Sequence, residues 1–501
     1  MKLRLILLSL ISMIFILNGC ATYEFTGKRE MRGVWVATVA NIDWPASRKQ
    51  TTEQKIEDLK KEFDKLKAAG INAVFFQVRT ECDALYQSEY EPWSYWLTGT
   101  QGQAPEPFFD PLKLAVDEAH KRGMELHAWL NPYRAVKKIG DYPAAPTHIS
   151  ETYPEWILNF KDYKMLDPGI PAVRDYIKMV VGDIINKYDV DGIHFDDYFY
   201  PYGPKVSNED SITYLQYSNG ITNIDDWRRY NINTMIAQVY DTIKQVKPYV
   251  KFGVSPFGIV ENRYAGTNGF NSYSILYCDP LTWIKDKTVD YIVPQLYWSM
   301  NHEKAPYSKL LPWWASVTGD VHLYIGLYSS DLASPRAKGD KYEIDNQIKM
   351  NRETKNVSGH IFFSSKSLTA NSFGEFSARV KDELQSHPAL PPLMAWKNFV
   401  VPAAPAKLNV AYSSGQVNMS WEQSDKSNVA GYIIYRFKSD EEVDLNNSAR
   451  IAAVIPGADK CEFIDRIPEK YIGEVQYIIS AYNRLYQESK KGLSLKLNIT
   501  R

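Results

Sequence analysis

Short apolar segments alternate with helical patterns along most of this chain, and this alternation restricts the fold more than any other feature. Between the first two segments, Ile56, Leu59, Phe63 and Leu66 recur at helical spacing. We predict eight strands, at residues 33–39, 73–78, 125–130, 189–201, 252–255, 291–297, 323–327 and 360–363. Such a pattern is typical of an α/β fold of the (β/α)8 TIM-barrel type, here over residues 29–386. A doubly wound sheet is the alternative, but it would be expected to show a glycine-rich phosphate turn after an early strand, and the sequence has none.

Two adjacent carboxylates, Asp196 and Asp197, follow the apolar residues Val190, Ile193 and Phe195 of the fourth predicted strand. Active sites of TIM barrels lie in the loops where the strands end. Carboxylates are costly to place beside a core, which favours a functional reason for the pair, although a single Asp here could simply cap the next helix. Because side chains alternate along a strand, we expect at most one of the two to point fully into a shared cavity.

Polar and aromatic side chains follow the other predicted strands as well, and they are of the kind that binds a hydroxylated ligand. Hydrolysis of a glycosidic bond needs one protonated carboxyl group and one ionised carboxylate, and burial or a nearby arginine can separate two carboxyl pKa values in this way. The predicted catalytic residues are Asp196, Asp197, Asp83 and Glu261. The predicted substrate-binding residues are Arg79, His127, Asn131, Tyr133, Arg134, His194, Gln295, Tyr297 and Trp298. For each histidine the alternative is a core residue tied to a neighbouring carboxylate.

Several blocks of sequence occur in a characteristic order between residues 29 and 385. They are MRGVWV at 31–36, FQVRTECDALYQS at 76–88, EPWS at 91–94, HAWLNPYR at 127–134, DGIHFDDY at 191–198 and PQLYW at 294–298. These blocks resemble the glycosyl hydrolase-like 10 family, which includes bacterial lipoproteins related to a divisome-localised hydrolase of peptide-free peptidoglycan glycans. The resemblance implies a (β/α)8 glycosidase-like domain that acts on cell-wall glycan strands.

The resemblance can be carried over residue by residue to part of the predicted site. The matched positions are Arg79, Asp83, Asn131, Arg134, His194, Asp196, Asp197, Gln295 and Tyr297. The family usually has Gly-Asp-Ala where this chain has Cys82-Asp83-Ala84, so the turn before Asp83 is altered. Which carboxylate is the acid and which the nucleophile stays open at this point.

Residues 1–20 are predicted to be a lipoprotein signal peptide. Lys2 and Arg4 precede an apolar stretch at residues 5–17, which is too short for a comfortable membrane span. The sequence Leu17-Asn-Gly-Cys20 resembles a bacterial lipobox, which implies cleavage before Cys20 and lipidation of its sulfur. An ordinary secretory signal is the alternative. We therefore expect a lipid-anchored protein of the cell envelope, at the outer membrane and facing the periplasm.

Charge and cysteine usage restrict the partners. The formal net charge of -1 argues against a nucleic-acid binder that relies on electrostatic attraction. Besides Cys20 the chain has Cys82, Cys278 and Cys461, and their spacing matches no zinc or iron–sulfur pattern. We predict no structural metal, no cofactor and at most one disulfide.

The composition changes after Ser386. Proline-rich segments within residues 387–404 predict a stiff linker. Residues 405–501 alternate in the manner of short β-strands around Trp421, Tyr432 and Tyr477, which predicts an all-β immunoglobulin-like sandwich. The pattern resembles a fibronectin type III domain. We find no catalytic constellation in its sequence and interpret it as a spacer or docking module.

Together these features predict a glycoside hydrolase that cleaves peptidoglycan-type glycan strands, in particular peptide-free ones, by acid/base catalysis with paired carboxylates. The partner is then a polysaccharide in the cell wall. The alternative is a non-catalytic glycan-binding lipoprotein of the cell envelope that keeps the barrel but not the chemistry. A deacetylase is a third hypothesis, which the lack of a metal-ligand pattern weakens.

Overall fold

A closed barrel of eight parallel strands forms the larger part of the computed structural model. The structure describes residues 25–499 except 204, 398, 424, 469, 470, 472 and 491, so the predicted signal peptide and Cys20 lie outside the described residues. The first half of the barrel contains β1 (Met31–Val36), α1 (Thr52–Ala68), β2 (Ala73–Arg79), α2 (Tyr95–Thr98), α3 (Pro111–Lys121), β3 (Glu125–Leu130), β4 (Arg134–Val136), α4 (Ile149–Thr152), β5 (Ile157–Asn159), β6 (Lys164–Leu166), α5 (Pro171–Lys187) and β7 (Gly192–Phe195).

The second half continues the alternation. It contains α6 (Ser211–Tyr217), α7 (Ile224–Val246), β8 (Lys251–Val254), α8 (Asn262–Ala265), α9 (Ser272–Ile275), α10 (Pro280–Lys285), β9 (Tyr291–Ile292), α11 (Tyr307–Val317), β10 (His322–Leu327), α12 (Ser329–Leu332), α13 (Glu343–Glu353), β11 (Val357–Phe362), α14 (Lys366–Thr369) and α15 (Gly374–Arg379). Short 3₁₀ turns lie at Val39–Asn41, Pro154–Trp156 and Asn371–Phe373, and a π turn at Val380–Leu384.

The strand order confirms the predicted TIM barrel. Around the barrel the strands run β1, β2, β3, β7, β8, β9, β10 and β11, and β11 pairs with β1 to close the sheet. This closure excludes the open doubly wound alternative. Strands β4, β5 and β6 form a separate three-stranded antiparallel sheet beyond the end of β3. The sequence analysis missed this small sheet because each of its strands has three residues, which is too short to show a period.

The barrel interior contains a buried ion pair near the amino ends of the strands. Lys251 in β8 pairs with one carboxylate oxygen of Glu125 in β3, and His127 Nε2 lies 3.0 Å from the other oxygen. Burial alone would raise the pKa of Glu125, but Lys251 and His127 together lower it below its ordinary value. The carboxylate is therefore ionised and fully partnered inside the barrel.

A chain of hydrogen bonds continues from this pair toward the carboxyl ends of the strands. His127 Nδ1 lies 2.9 Å from the Tyr291 hydroxyl, which lies 3.3 Å from His194 Nδ1. The Trp35 indole N–H donates to His194 Nε2 at 3.1 Å. Burial lowers the pKa of His194 well below its ordinary value, so the ring is neutral and its proton is on Nδ1. His194 then donates to Tyr291, which donates to His127.

Two glycines leave the space that these rings occupy. A Cβ atom on Gly192 would lie 2.2 Å from His127 Nδ1, and one on Gly253 would lie 2.2 Å from the Tyr291 ring. Both glycines are in barrel strands, β7 and β8. Glycine is therefore required here for close approach and not for an unusual backbone conformation.

The C-terminal region forms two antiparallel sheets, which confirms the prediction of an all-β unit. Its strands are β12 (Ala406–Ser413), β13 (Gln416–Glu422), β14 (Gly431–Lys438), β15 (Ile451–Pro456), β16 (Glu462–Arg466), β17 (Gly473–Tyr482) and β18 (Leu493–Ile499), with a 3₁₀ turn at Ser448–Arg450. One sheet has the order β12-β13-β16 and the other β15-β14-β17-β18. Side chains from both sheets, including Trp421, Tyr432 and Tyr477, share one core. The fibronectin type III resemblance stays a prediction.

The C-terminal unit packs against the base of the barrel, where the strands begin. Arg484 pairs with Asp189 and, at 3.3 Å, with Asp191, just before β7. The segment before β1 lies in the same interface: Ser448 N–H donates to Thr26 O at 2.8 Å, and Arg29 donates to Glu488 at 3.2 Å. No helix among the described residues is long and apolar enough to cross a membrane.

We predict that Lys251→Met lowers the free energy of unfolding by about 3 kcal/mol, because it leaves the Glu125 carboxylate buried without its cation. The matched control is Lys287→Met, which breaks the exposed pair with Asp320 and should change stability by less than about 1 kcal/mol. Urea unfolding followed by tryptophan fluorescence measures both. Equal effects of the two substitutions would contradict the assigned importance of the buried pair.

Candidate active site

A cavity of about 340 Å³ opens at the carboxyl ends of the barrel strands. Aromatic side chains dominate its lining, among them Trp35, Trp129, Tyr297, Trp298, Tyr328 and Phe363. Its polar lining residues include Gln77, Arg134, Asp196, Ser255 and Gln295. Apolar walls with a few polar groups are the usual composition of a small-ligand site.

Asp196 is the carboxylate that lines the cavity. Its Oδ2 accepts hydrogen bonds from Trp129 Nε1 and Asn131 Nδ2, each at 3.2 Å. Its Oδ1 is buried and has no hydrogen-bond partner among the described residues. A buried, unpartnered carboxylate oxygen in the wall of a cavity is the expected position for a contact with a ligand donor.

Asp197 lies beside the cavity, behind Tyr202. The Tyr202 hydroxyl donates to Asp197 Oδ2, and the Tyr202 ring lines the cavity. Asp197 Oδ1 is buried without a partner in the described part of the chain. The tyrosine ring stacks on Phe270 with a centroid distance of 5.3 Å. Tyr202 therefore separates the second carboxyl group from the open space.

Burial raises the pKa of both carboxyl groups. The pKa of Asp196 is raised to about 6, because desolvation outweighs the opposing effects of Arg134, Trp129 and Asn131. The pKa of Asp197 is raised to about 7, mainly by desolvation and further by the neighbouring Asp196. The hydrogen bond from Tyr202 opposes this rise. Between these values the pair holds one proton, the condition that acid/base catalysis requires.

Arg134 brings a positive charge to the cavity wall. It begins β4, where it pairs with Met165 of β6, so the small antiparallel sheet sets its position. Its Nε donates to Thr80 O at 2.9 Å, and its guanidinium lies 4.9 Å from the centre of the Tyr198 ring. This charge favours the ionised form of Asp196.

Arg79 supports the site from behind instead of contacting the cavity. Its Nε and Nη2 donate to Glu91, and its Nη1 donates to Asn131 O and Pro132 O at 2.5 and 3.1 Å. Its remaining Nη2 proton points to Cys82 Sγ at 3.1 Å. All of its donors are used within the protein, so the predicted substrate contact of Arg79 is not supported. Its contact with the backbone at Asn131 holds the residue that orients Asp196.

The structure explains the altered turn at Cys82. Cys82 has a φ of 51°, in the left-handed region that favours glycine, and the family that the chain resembles usually has glycine at this position. Its buried side chain contacts both arginine-containing segments, since the thiol also lies 3.5 Å from Arg134 O. The cysteine thus has a backbone conformation that is unfavourable for a residue with a side chain, and in this conformation its thiol contacts Arg79 and the backbone of Arg134.

Several other predicted site residues do not reach the cavity. Asp83 Oδ1 closes a turn by accepting from Thr80 Oγ1 at 2.7 Å and Glu81 N at 3.0 Å. Glu261 pairs with Arg263 at 2.6 Å near the surface. The predicted catalytic roles of Asp83 and Glu261 are therefore not supported by their positions.

The predicted binding residues divide in the same way. Gln295, Tyr297 and Trp298 line the cavity, as Arg134 does. His127 lies in the barrel hydrogen-bond chain next to the Glu125 carboxylate, which is the core alternative considered for it. His194 lies in the same chain but contacts Trp35 and Tyr291 instead of a carboxylate, and Asn131 acts through Asp196. Tyr133 packs in the hydrophobic core and does not line the cavity.

The sequence analysis did not predict Gln77, Tyr202 or Phe257 as site residues, although all three line the cavity. Gln77 Oε1 accepts from the backbone N–H groups of Thr38 and Val39, both at 3.0 Å, and so shapes the loop after β1. A polar residue within the otherwise apolar strand β2 was the available signal for Gln77. The run of aromatic residues directly after Asp197 was the signal for Tyr202.

A larger cavity of about 810 Å³ lies at the opposite end of the barrel, next to the C-terminal unit. Its acidic lining residues Asp241, Asp286 and Asp320 are exposed to solvent. Solvated carboxylates lack the desolvation that raises the pKa values of the pair at the barrel mouth. The smaller cavity is therefore the candidate active site.

No group of three or more His, Cys, Asp or Glu side chains in the described ranges is arranged to hold a metal ion. Cys82, Cys278 and Cys461 are free thiols within the described part of the chain.

Comparison with known proteins identifies the relatives of this chain. The family model described as "Glycosyl hydrolase-like 10" matches residues 30–344. Glycosyl hydrolase YngK of Bacillus subtilis (strain 168) is 36% identical over 504 residues, covering 97% of this chain and 96% of that protein. Glycosyl hydrolase DigH of Escherichia coli (strain K12) is 37% identical over 366 residues, covering 66% of this chain and 82% of that protein.

A solved structure similar to this chain is the PgaB (BpsB) glycoside hydrolase domain from Bordetella bronchiseptica. Its TM-score is 0.48 at 12% identity, and the match covers 72% of this chain and 100% of that one. The family assignment rests on the sequence matches.

We predict that Asp197→Asn raises the melting temperature at pH 8 by roughly 2 °C or more. The folded chain keeps the Asp197 proton up to about pH 7, whereas the unfolded chain releases it near pH 4. Wild-type stability therefore falls as the pH rises through this window, and the amide removes that loss.

The same measurement at pH 4 should show almost no difference between Asp197→Asn and the wild type, because both then carry a neutral side chain. Asp117→Asn, at an exposed helix position paired with Lys113, is the matched control and should change the melting temperature little at either pH. A stabilisation that does not depend on pH would contradict the raised pKa.

Proposed function

The chain belongs to the glycosyl hydrolase-like 10 family and is a glycoside hydrolase, and we propose that it cleaves peptidoglycan-type glycan strands from which the stem peptides have been removed. The observation that supports hydrolysis is the pair of buried carboxyl groups at the barrel mouth, with pKa values of about 6 and 7, and the proposal of a peptidoglycan substrate rests on the family resemblance. The cavity volume of about 340 Å³ lies at the lower end of the range for small-ligand sites and fits a single sugar ring of a strand.

In the proposed mechanism Asp197 is the general acid. It has the higher pKa of the pair, so it holds the shared proton, and its unpartnered Oδ1 can carry that proton. Asp196 is the ionised partner, because Trp129, Asn131 and Arg134 all favour its charged form. Tyr202, whose side chain is 37% exposed, moves aside to give the leaving oxygen access to Asp197.

We also propose a location that fits a cell-wall substrate. The lipobox-like sequence that ends at Cys20 implies a lipid anchor in the cell envelope, with the outer membrane facing the periplasm as the expected site. Peptidoglycan is the glycan polymer of that compartment, and the residues shared with the family support it as substrate. The C-terminal unit serves as a spacer or docking module in this proposal.

The substrate is tested by digestion of peptidoglycan sacculi with and without prior amidase removal of the stem peptides. Mass analysis of the soluble fragments should show products only after the amidase treatment, and the fragment ends identify the bond. Equal release from untreated sacculi would contradict the preference for peptide-free strands. Release from neither would point to another polysaccharide.

We predict that Asp196→Asn and Asp197→Asn each reduce turnover of amidase-treated sacculi by at least roughly 100-fold, because each removes one member of the acid/base pair. Glu261→Gln is the matched control, since Glu261 pairs with Arg263 outside the cavity, and it should retain turnover. Circular dichroism and melting curves establish that all three variants are folded. Wild-type turnover in both aspartate variants would overturn the assignment.

We predict a bell-shaped pH profile with a narrow maximum between about pH 6 and pH 7. Activity falls at acid pH as Asp196, with its pKa of about 6, becomes protonated. It falls at alkaline pH as Asp197, with its pKa of about 7, loses its proton. Initial rates at subsaturating substrate between pH 4 and pH 9 give the profile.

The variant Tyr202→Phe should move only the alkaline limb of that profile. The Tyr202 hydrogen bond lowers the pKa of Asp197, so its loss raises that pKa and shifts the limb upward by about one pH unit. Tyr264→Phe, at the exposed pair of Glu261 and Arg263, is the control and should leave both limbs in place. A downward shift in Tyr202→Phe would contradict the role given to Asp197.

A further inference from the structure

The carboxyl groups in and beside the cavity all lie on one side of it. Asp196 and Asp197 both follow β7, and as consecutive residues their Cα atoms are about 3.8 Å apart. In the closed strand order β7 lies across the barrel from β11, which β1 and β10 flank. The cavity residues at the ends of those three strands are apolar or aromatic, as Trp35, Tyr328 and Phe363 show.

Hydrolysis by two protein carboxylates requires groups on both sides of the bond. In retaining enzymes the carboxyl groups are about 5–5.5 Å apart with the sugar between them, and in inverting enzymes they are about 6.5–9.5 Å apart to admit a water. Two consecutive residues at the end of one strand do not flank a sugar ring in this way. A second carboxylate would have to come from the opposite wall.

The described residues supply no such group. Asp43, in the loop after β1, does not line the cavity; it accepts from Ala37 N at 2.8 Å and from Ser364 Oγ at 2.7 Å. Asp83 closes its turn with Thr80. Glu261 pairs with Arg263. Within the described ranges, the wall opposite the aspartate pair therefore lacks a protein carboxylate.

The position of Asp196 indicates which group replaces the missing second carboxylate. Oδ2 of Asp196 is fixed by Trp129 and Asn131, while Oδ1 is buried and unpartnered in the described structure. This ionised acceptor would match an amide N–H on the sugar. The indole and phenyl surfaces of Trp35, Trp129 and Phe363 provide an apolar lining for a methyl group.

We infer that the nucleophile is the acetamido group on C2 of the bound sugar, so that the substrates of this site are 2-acetamido-2-deoxy glycans. This inference rests on the proposed function. It also gives the aspartates distinct roles: Asp197 transfers the proton, and Asp196 orients the acetamido group through its N–H. Substrate-assisted hydrolysis of this kind needs one carboxylic acid and no nucleophile from the protein.

The reaction balances in two steps. In the first, the acetamido oxygen forms a bond to C1 while the glycosidic C1–O bond breaks, and the leaving oxygen takes the Asp197 proton. The product is an oxazolinium ion whose N–H is held by Asp196. In the second, Asp197 carboxylate takes a proton from water as the water oxygen forms a bond to C1. The C1–O bond of the ring intermediate breaks, the acetamido group is restored, and the configuration at C1 is retained.

The test varies the nucleophile without changing the protein. Peptide-free glycan strands are chemically de-N-acetylated and then re-acylated with acetyl, fluoroacetyl, difluoroacetyl or trifluoroacetyl groups. With the full chain at saturating strand concentrations, we expect kcat to fall stepwise, by roughly 100-fold from acetyl to trifluoroacetyl, because fluorine weakens the carbonyl oxygen as a nucleophile. Strands with free amines should not be cleaved. The anomeric proton of the first product, followed by NMR, should show retained configuration.

The outcomes separate this inference from the proposed function. Equal kcat values across the acyl series, or cleavage of the free-amine strand at the acetyl rate, would overturn substrate assistance and leave the hydrolase assignment intact. An inverted product would do the same. Failure to cleave even the re-acetylated strand would overturn the proposed substrate, and the inference with it.

Discussion

The barrel depends on one constraint: its interior holds charged and ring side chains that must all be satisfied away from water. Lys251, Glu125 and His127 form the lower part of the hydrogen-bond chain, and Tyr291 and His194 carry it to Trp35. Buried polar groups are costly when unpaired, so this chain fixes the tautomer and orientation of each ring in it. Because Trp35 lines the cavity, the position of this part of the candidate active site depends on contacts that begin at the other end of the barrel.

The buried carboxyl groups of the aspartate pair, unlike the polar groups of the barrel interior, are not fully hydrogen-bonded. Both carboxyl groups keep one oxygen without a partner among the described residues, although both are buried. In the barrel interior, by contrast, the Glu125 carboxylate is fully paired. The unpartnered oxygen of Asp196 lies in the wall of the cavity, where a ligand can complete its hydrogen bonding. This arrangement lowers stability at neutral pH and leaves the proposed acid/base pair available for reaction.

Much of this architecture could be predicted from sequence, because the alternation of apolar strands and amphipathic helices repeats along the chain. Strand β3 was predicted at residues 125–130 and is observed at Glu125–Leu130, and the helically spaced apolar residues between Ile56 and Leu66 lie in helix α1. Asp196 was found as a strand-end carboxylate. The roles of Arg79 and His127 could not be predicted, because a strand-end position does not show whether a side chain turns toward the cavity or toward the neighbouring strand. The position of Tyr202 at the cavity could not be predicted either, because this residue lies in a loop whose sequence has no periodic pattern.

The short segment before β1 has a consequence for how the enzyme meets its polymer. Thr26 and Arg29 lie at the base of the barrel, against the C-terminal unit, while the cavity opens at the other end. Four residues lie between Cys20 and Phe25, and the five Cα–Cα steps from Cys20 to Phe25 span at most about 18 Å in an extended chain. If Cys20 carries the proposed lipid, the base of the barrel is tethered close to the bilayer and the cavity opens away from the membrane. If the proposed glycan substrate also holds, the enzyme would reach only those strands that pass within about one molecule's height of the membrane.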